Sequence, residues 1–97
     1  SFSGLRECIR ARHKVRIEYR DESERCTSRT LRPLALIFSS PVWLLAGWCE
    51  TRGDFRHFRL DRIRTLQVRD ETFGEEHDKG LAAYLAREAA CHPDRVD

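Results

Sequence analysis

The stretch Pro41-Val42-Trp43-Leu44-Leu45-Ala46-Gly47-Trp48, followed after a short loop by Phe55-Arg56-His57-Phe58-Arg59-Leu60-Asp61-Arg62-Ile63, decides how the rest of the chain reads. Val42 to Trp48 is almost continuously apolar over one strand length, which fits a strand covered on both faces and marks the centre of the core. Thr51 to Asp54, with Gly53 inside, reads as a hairpin loop into a strand over Phe55 to Ile63. Leu66 and Val68 carry the alternation into a fifth strand.

Upstream, Ser39-Ser40-Pro41 is a compact turn signal, and Leu31, Leu34, Leu36 and Phe38 predict a strand over Ser28 to Phe38. Pro33 inside that strand has no N–H for a ladder, so it predicts an edge position or a bulge. Val15, Ile17 and Tyr19 alternate with Arg16, Glu18 and Arg20 as in a half-buried strand, and the polar run Asp21 to Cys26 is its turn. Leu5, Cys8, Ile9 and Arg12 fall at helical spacing; with Ser3 as N-cap they predict a short amphipathic helix over 4–12 that lies as a lid on the sheet. Leu81, Tyr84, Leu85 and Ala89 predict a second helix over 78–91, stopped by Pro93. Five sequential strands over 15–73 are too few for a two-sheet sandwich. The expected fold is mainly β (α+β): a small five-stranded, strongly bent SH3-like or Sm-like barrel with an N-terminal and a C-terminal helix, one domain over 1–97.

With 97 residues and 40% hydrophobic content the chain can bury one core. Eighteen basic residues against 16 acidic leave a net charge of +2, so bulk charge selects no partner. Its distribution is uneven: Arg52 to Arg69 holds six arginines against Asp54 and Asp61, and Asp70 to Lys79 holds five carboxylates against one lysine. That acidic run reads as a solvated connector or as a docking element for a basic patch. Cys8, Cys26, Cys49 and Cys91 are irregularly spaced, with no C-x-x-C pair and no signal-peptide-like start, which points to a reduced, cytoplasmic protein. No apolar run approaches the ~20 residues a membrane span requires. The chain opens at Ser1 and contains no methionine, so it reads as a fragment of a longer protein.

Four motifs in order resemble those of the WYL domain of bacterial helix-turn-helix transcription regulators. They are Ile17-Glu18-Tyr19, Arg29 to Pro33, Trp43 to Leu45, and Arg56 to Ile63, and the resemblance covers about residues 5 to 73. The eponymous tyrosine is replaced by Leu44, so any role for that phenol is lost; alternation places Leu44 opposite Trp43 and Leu45. The resemblance implies an Sm-like barrel attached to an N-terminal DNA-binding domain that is absent here. It also implies a sensor of single-stranded nucleic acid or a nucleotide-like effector, which alters how a parent homodimer engages promoter DNA.

Read for chemistry, the arginines come first. On one extended strand Arg56 and Arg62 share a face with Phe58, and Arg59 lies opposite with His57 and Asp61; a bulge or a strand end relaxes that limit. Some of Arg56, Arg59 and Arg62, joined by Arg29, can form a cationic pocket whose forked guanidinium groups suit phosphate. The competing reading is a set of internal ion pairs, with Asp61 holding Arg59 or Arg62. Tyr19, Trp43 and Trp48 offer rings for base stacking, against a plain core role for the tryptophans. His57 is a secondary phosphate donor. Cys49, His57, Cys91 and His92 match no zinc spacing, and no Cys–His pair has a third partner. No metal, no cofactor and no enzymatic activity is expected. Two other readings stay open: a ligand-free dimerisation or scaffold module, and a sensor of a small acidic metabolite.

Overall fold

A computed structural model describes residues 4–74 and 76–90 as five strands between two helices. The order is α1 (Leu5–Ala11), β1 (His13–Arg20), β2 (Cys26–Ser39), β3 (Val42–Cys49), β4 (Asp54–Arg59), a 3-10 turn (Leu60–Arg62), β5 (Ile63–Thr72) and α2 (Leu81–Ala90). The strands form one antiparallel sheet in the order β4-β3-β2-β1-β5. Its two edges, β4 and β5, are joined by only the three residues of the 3-10 turn. The sheet must therefore curl until those edges meet at one end. No ladder joins β4 to β5, so the barrel expected from the sequence is not closed; the mainly β fold with a helix at each end stands.

The curl separates two cores. On the inner face Leu5 and Cys8 of α1 pack with Val15, Ile17, Tyr19, Leu31, Leu45, Cys49, Phe58 and Ile63. On the outer face Tyr84 of α2 packs with Ala46 and Phe55, flanked by Trp48, Ile37 and Ala83. β3 serves both, which is why its sequence is apolar at nearly every position. Cys8, Cys26 and Cys49 are free thiols, and burial pushes the Cys8 thiol up.

Pro33 resolves as a bulge in a central strand. Pro33 pairs with Gly47 and Ala35 with Ala46, so Leu34 is the extra residue. The two backbones approach so closely there that a Cβ on Gly47 would lie 2.6 Å from the Arg32 carbonyl oxygen.

Several boundaries differ from the sequence reading: β2 begins at Cys26, inside the expected turn, and runs to Ser39. The single strand expected over Phe55 to Ile63 breaks at Arg59, whose N–H donates to the Tyr19 hydroxyl at 3.2 Å instead of to a ladder. The N-cap of α1 is Gly4, with no side-chain bond, and Ser3 lies outside the described residues. α2 begins at Leu81 rather than Asp78, and Cys91, His92 and Pro93 lie outside the described residues. Its buried face is also rotated from the expected stripe: Tyr84 is buried while Leu81 and Leu85 are exposed. Arg87 and Glu88 reach Asp54 and His57 of β4, and those contacts set the rotation.

Candidate functional site

Where β4 runs into the 3-10 turn, the Arg59 N–H meets the Tyr19 hydroxyl, and Arg62 follows on the turn. Tyr19 is fully buried, its ring packed on edge against Phe58 with centroids 5.1 Å apart. It is a post inside the core and not the surface stacking ring that the sequence suggested. Arg29 lies across from Ile17, on the inner face and one pair along from Tyr19 and Thr27. It is only 7% exposed, and its Nε donates to Thr27 Oγ1 at 3.4 Å. No carboxylate pairs with it among the described residues. Burial of a guanidinium without a counter-charge is costly, and Arg29 is the most buried cation among the described residues.

Arg59 is held by Asp61, with Nε at 3.0 Å from Oδ1 and Nη2 at 2.7 Å from Oδ2. This is the internal pairing the sequence offered as the alternative to a pocket, and the Arg59 hydrogen bonds hold the Asp61 carboxyl below its usual range. Arg62 follows on the 3-10 turn and makes no ion pair among the described residues. Near the start of β3 Trp43 is 49% exposed, its ring centroid 5.1 Å from that of Phe38, which is 55% exposed. Two half-exposed rings thus form a shelf.

Arg56 and His57 go elsewhere. Asp54 accepts both terminal nitrogens of Arg87 and lies 3.9 Å from Arg56 Nη1. The Arg87 bonds hold its carboxyl below the usual range. His57 is buried under α2, where Nε2 shares a hydrogen bond with the Tyr84 hydroxyl and lies 3.7 Å from Glu88 Oε1. The expected grouping of His57 with the phosphate-binding arginines is not what the fold makes: β4 alternation turns His57 outward to the helix. Nothing local in the sequence announced α2 as its partner. Phe38 was legible only as a strand residue, although a hairpin pivoting on Ser40-Pro41 sets it opposite Trp43.

Burial, aided by the Glu88 charge, pushes the Tyr84 phenol up to about 12 from its ordinary 10.0. Because the folded value is the higher, the contribution of this contact is complete below pH 10 and is lost as pH rises through about 12. Thermal melts across that window are expected to fall more steeply for the native protein than for a Tyr84→Phe variant. Equal slopes would mean that the phenol does not anchor α2.

The WYL domain family model matches residues 1–68, from before α1 into β5. The chain belongs to the WYL domain family. Over 83 residues this WYL domain is 31% identical to the DNA-binding transcriptional repressor CapW of Escherichia coli (strain KTE188), covering 84% of this chain and 27% of that protein. Over 59 residues it is 30% identical to the uncharacterized HTH-type transcriptional regulator YobV of Bacillus subtilis (strain 168), covering 61% of this chain and 19% of that protein. The chain thus spans about a quarter or less of these relatives, and both carry the names of transcriptional regulators and not of enzymes. Among solved structures, proteasome accessory factor B/C (PafBC) of Arthrobacter aurescens superposes with a TM-score of 0.70 at 21% identity, over 98% of this chain and 13% of that one, which establishes the shared fold.

Leu44, which stands at the signature tyrosine, is buried, on the face of β3 opposite Trp43 and Leu45, so the phenol's absence leaves the aromatic shelf untouched. Among the described residues no helix is long and apolar enough to cross a membrane, and no three His, Cys, Asp or Glu side chains group to hold a metal.

Proposed function

We propose that this WYL domain is the effector-sensing part of a DNA-binding transcription regulator, and that its effector is single-stranded nucleic acid or a nucleotide-like anion. The observation that carries the reading is Arg29, buried and without a carboxylate partner among the described residues. A phosphate oxygen would supply the missing counter-charge through a charge-assisted bond. Arg62 adds a second cation, and the Phe38–Trp43 shelf adds ring faces on which unstacked bases can lie. Duplex bases cannot reach such a shelf, which favours single strands. The parent would carry the helix-turn-helix domain that grips promoter DNA, act as a homodimer in the cytoplasm, and respond only insofar as the effector prefers one arrangement of that dimer.

Fluorescence anisotropy of labelled single-stranded and duplex oligonucleotides across a salt series tests this. Single strands are expected to bind preferentially, with affinity falling as salt rises. Arg29→Gln and Arg62→Gln should each weaken binding about tenfold and make the log K–log salt slope shallower by about 0.7. Arg56→Gln, which disturbs the Asp54 pairing instead, should leave binding unchanged. Flat anisotropy at low salt would sink the reading. The assembly alternative would then gain, since Leu81 and Leu85 leave an apolar strip exposed on α2.

A further inference from the structure

A cleft lies away from Arg29 and the aromatic shelf, where the C-terminus of α1, the β2 bulge, the end of β5 and the start of α2 converge. Its volume is about 280 Å³. Four cationic side chains line it, Arg10, Arg12, Arg32 and Lys79, and no carboxylate does among the described residues. The fold holds the cleft in shape: the Phe73 N–H donates to the Arg12 carbonyl at 2.9 Å, tying the end of β5 to the end of α1. α2 opens on the same cleft, and its first turn carries no acidic residue.

Arg10, at the rim, donates to Glu7 Oε2 at 2.8 Å, and two further cations are set in place by carboxylates. Arg32 donates from Nε to Glu50 at 2.7 Å and from Nη1 to Glu76 at 2.8 Å, which leaves Nη2 outside both bonds. Lys79 Nζ lies 3.2 Å from the other oxygen of Glu76. These bonds hold the Glu76 carboxyl below its usual range. Arg32 and Lys79 therefore already straddle a carboxylate, and they show the group this corner accepts. The remaining walls are apolar and partly aromatic: Ile9, Leu34 and the Phe73 ring, over which the Arg32 guanidinium sits 5.8 Å from the centroid.

We propose that this cleft binds a small carboxylate with a flat apolar body, such as a single-ring aromatic acid. Its size is just under the ~300 Å³ at which ordinary small-molecule pockets begin, which excludes an oligonucleotide. The cations orient the carboxylate, and Phe73, Ile9 and Leu34 cover the ring. The site is independent of the nucleic-acid reading and survives or fails without it. Because its walls come from both α1 and the start of α2, an occupant would bridge the two helices that cover opposite faces of the sheet.

Titration of the isotope-labelled protein with benzoate, and separately with benzamide and with inorganic phosphate, decides the matter by amide chemical shifts. Benzoate is expected to move the amides of Gly74 and Gly80 with a Kd of about 1 mM or tighter, while benzamide and phosphate leave them in place. Lys79→Gln and Arg12→Gln should each weaken benzoate about tenfold. Arg62→Gln should bind it as the native protein does. The proposal is overturned if benzoate leaves Gly74 and Gly80 unmoved, if benzamide or phosphate moves them equally, if neither cleft variant weakens binding, or if Arg62→Gln abolishes it.

Discussion

Truncating Phe58 to alanine is expected to cost about 3–5 kcal/mol, measured as a drop in the denaturation midpoint at unchanged slope. The ring is fully buried in the inner core, paired across the ladder with Leu45 and packed on edge against Tyr19. Its removal leaves a void between β3, β4 and β1 that a curled sheet cannot close without unbending. Domains of this size hold roughly 5–15 kcal/mol in total, so the variant should sit near the edge of folding. Tyr19 would lose the neighbour that aims its hydroxyl at the Arg59 N–H. A cost under about 1 kcal/mol would show that the inner core is not centred there.

Gly47→Ala comes next, at about 1–3 kcal/mol of overpacking. The added methyl carbon would lie 2.6 Å from the Arg32 carbonyl oxygen and 3.3 Å from Pro33 Cα, and both obstacles are backbone. Arg32 can hardly retreat, since its side chain is fixed to Glu50 and Glu76. Gly74→Ala is the control: nothing lies within 4 Å of a Cβ there, so its effect should stay within about 0.5 kcal/mol. Equal midpoints for the two variants would mean that the bulge yields and that the close approach is not fixed.

Most of the architecture was legible because each strand announces its faces locally. Val15, Ile17 and Tyr19 alternate cleanly, and Pro33 could only mean an edge or a bulge. The break at Arg59 was not legible, because it depends on the Tyr19 hydroxyl, forty residues away in sequence, taking an N–H that would otherwise seek a ladder. The rotation of α2 was hidden for a similar reason. Leu81 and Leu85 carry the apolar signal, yet Arg87 and Glu88 choose the buried face by reaching Asp54 and His57. For the candidate site residues, spacing on one extended strand set Arg56 and Arg62 on one face and Arg59 on the other, but the chain leaves the strand after Arg59 and carries Arg62 on the 3-10 turn. Spacing could not reveal that Arg59 would be claimed by Asp61, nor that Arg29 would be the buried cation left without such a partner among the described residues.

β4 presents Phe58 to one core and Phe55 and His57 to the other, so a slip of one residue would drive an imidazole among the inner aromatics and strip α2 of its anchor. Gradual sliding is therefore closed to this strand. β4 is instead tied to α2 at two places, by Asp54–Arg87 at one point and by His57–Tyr84 at another. Two attachment points along one helix fix an angle, where one would fix only a position.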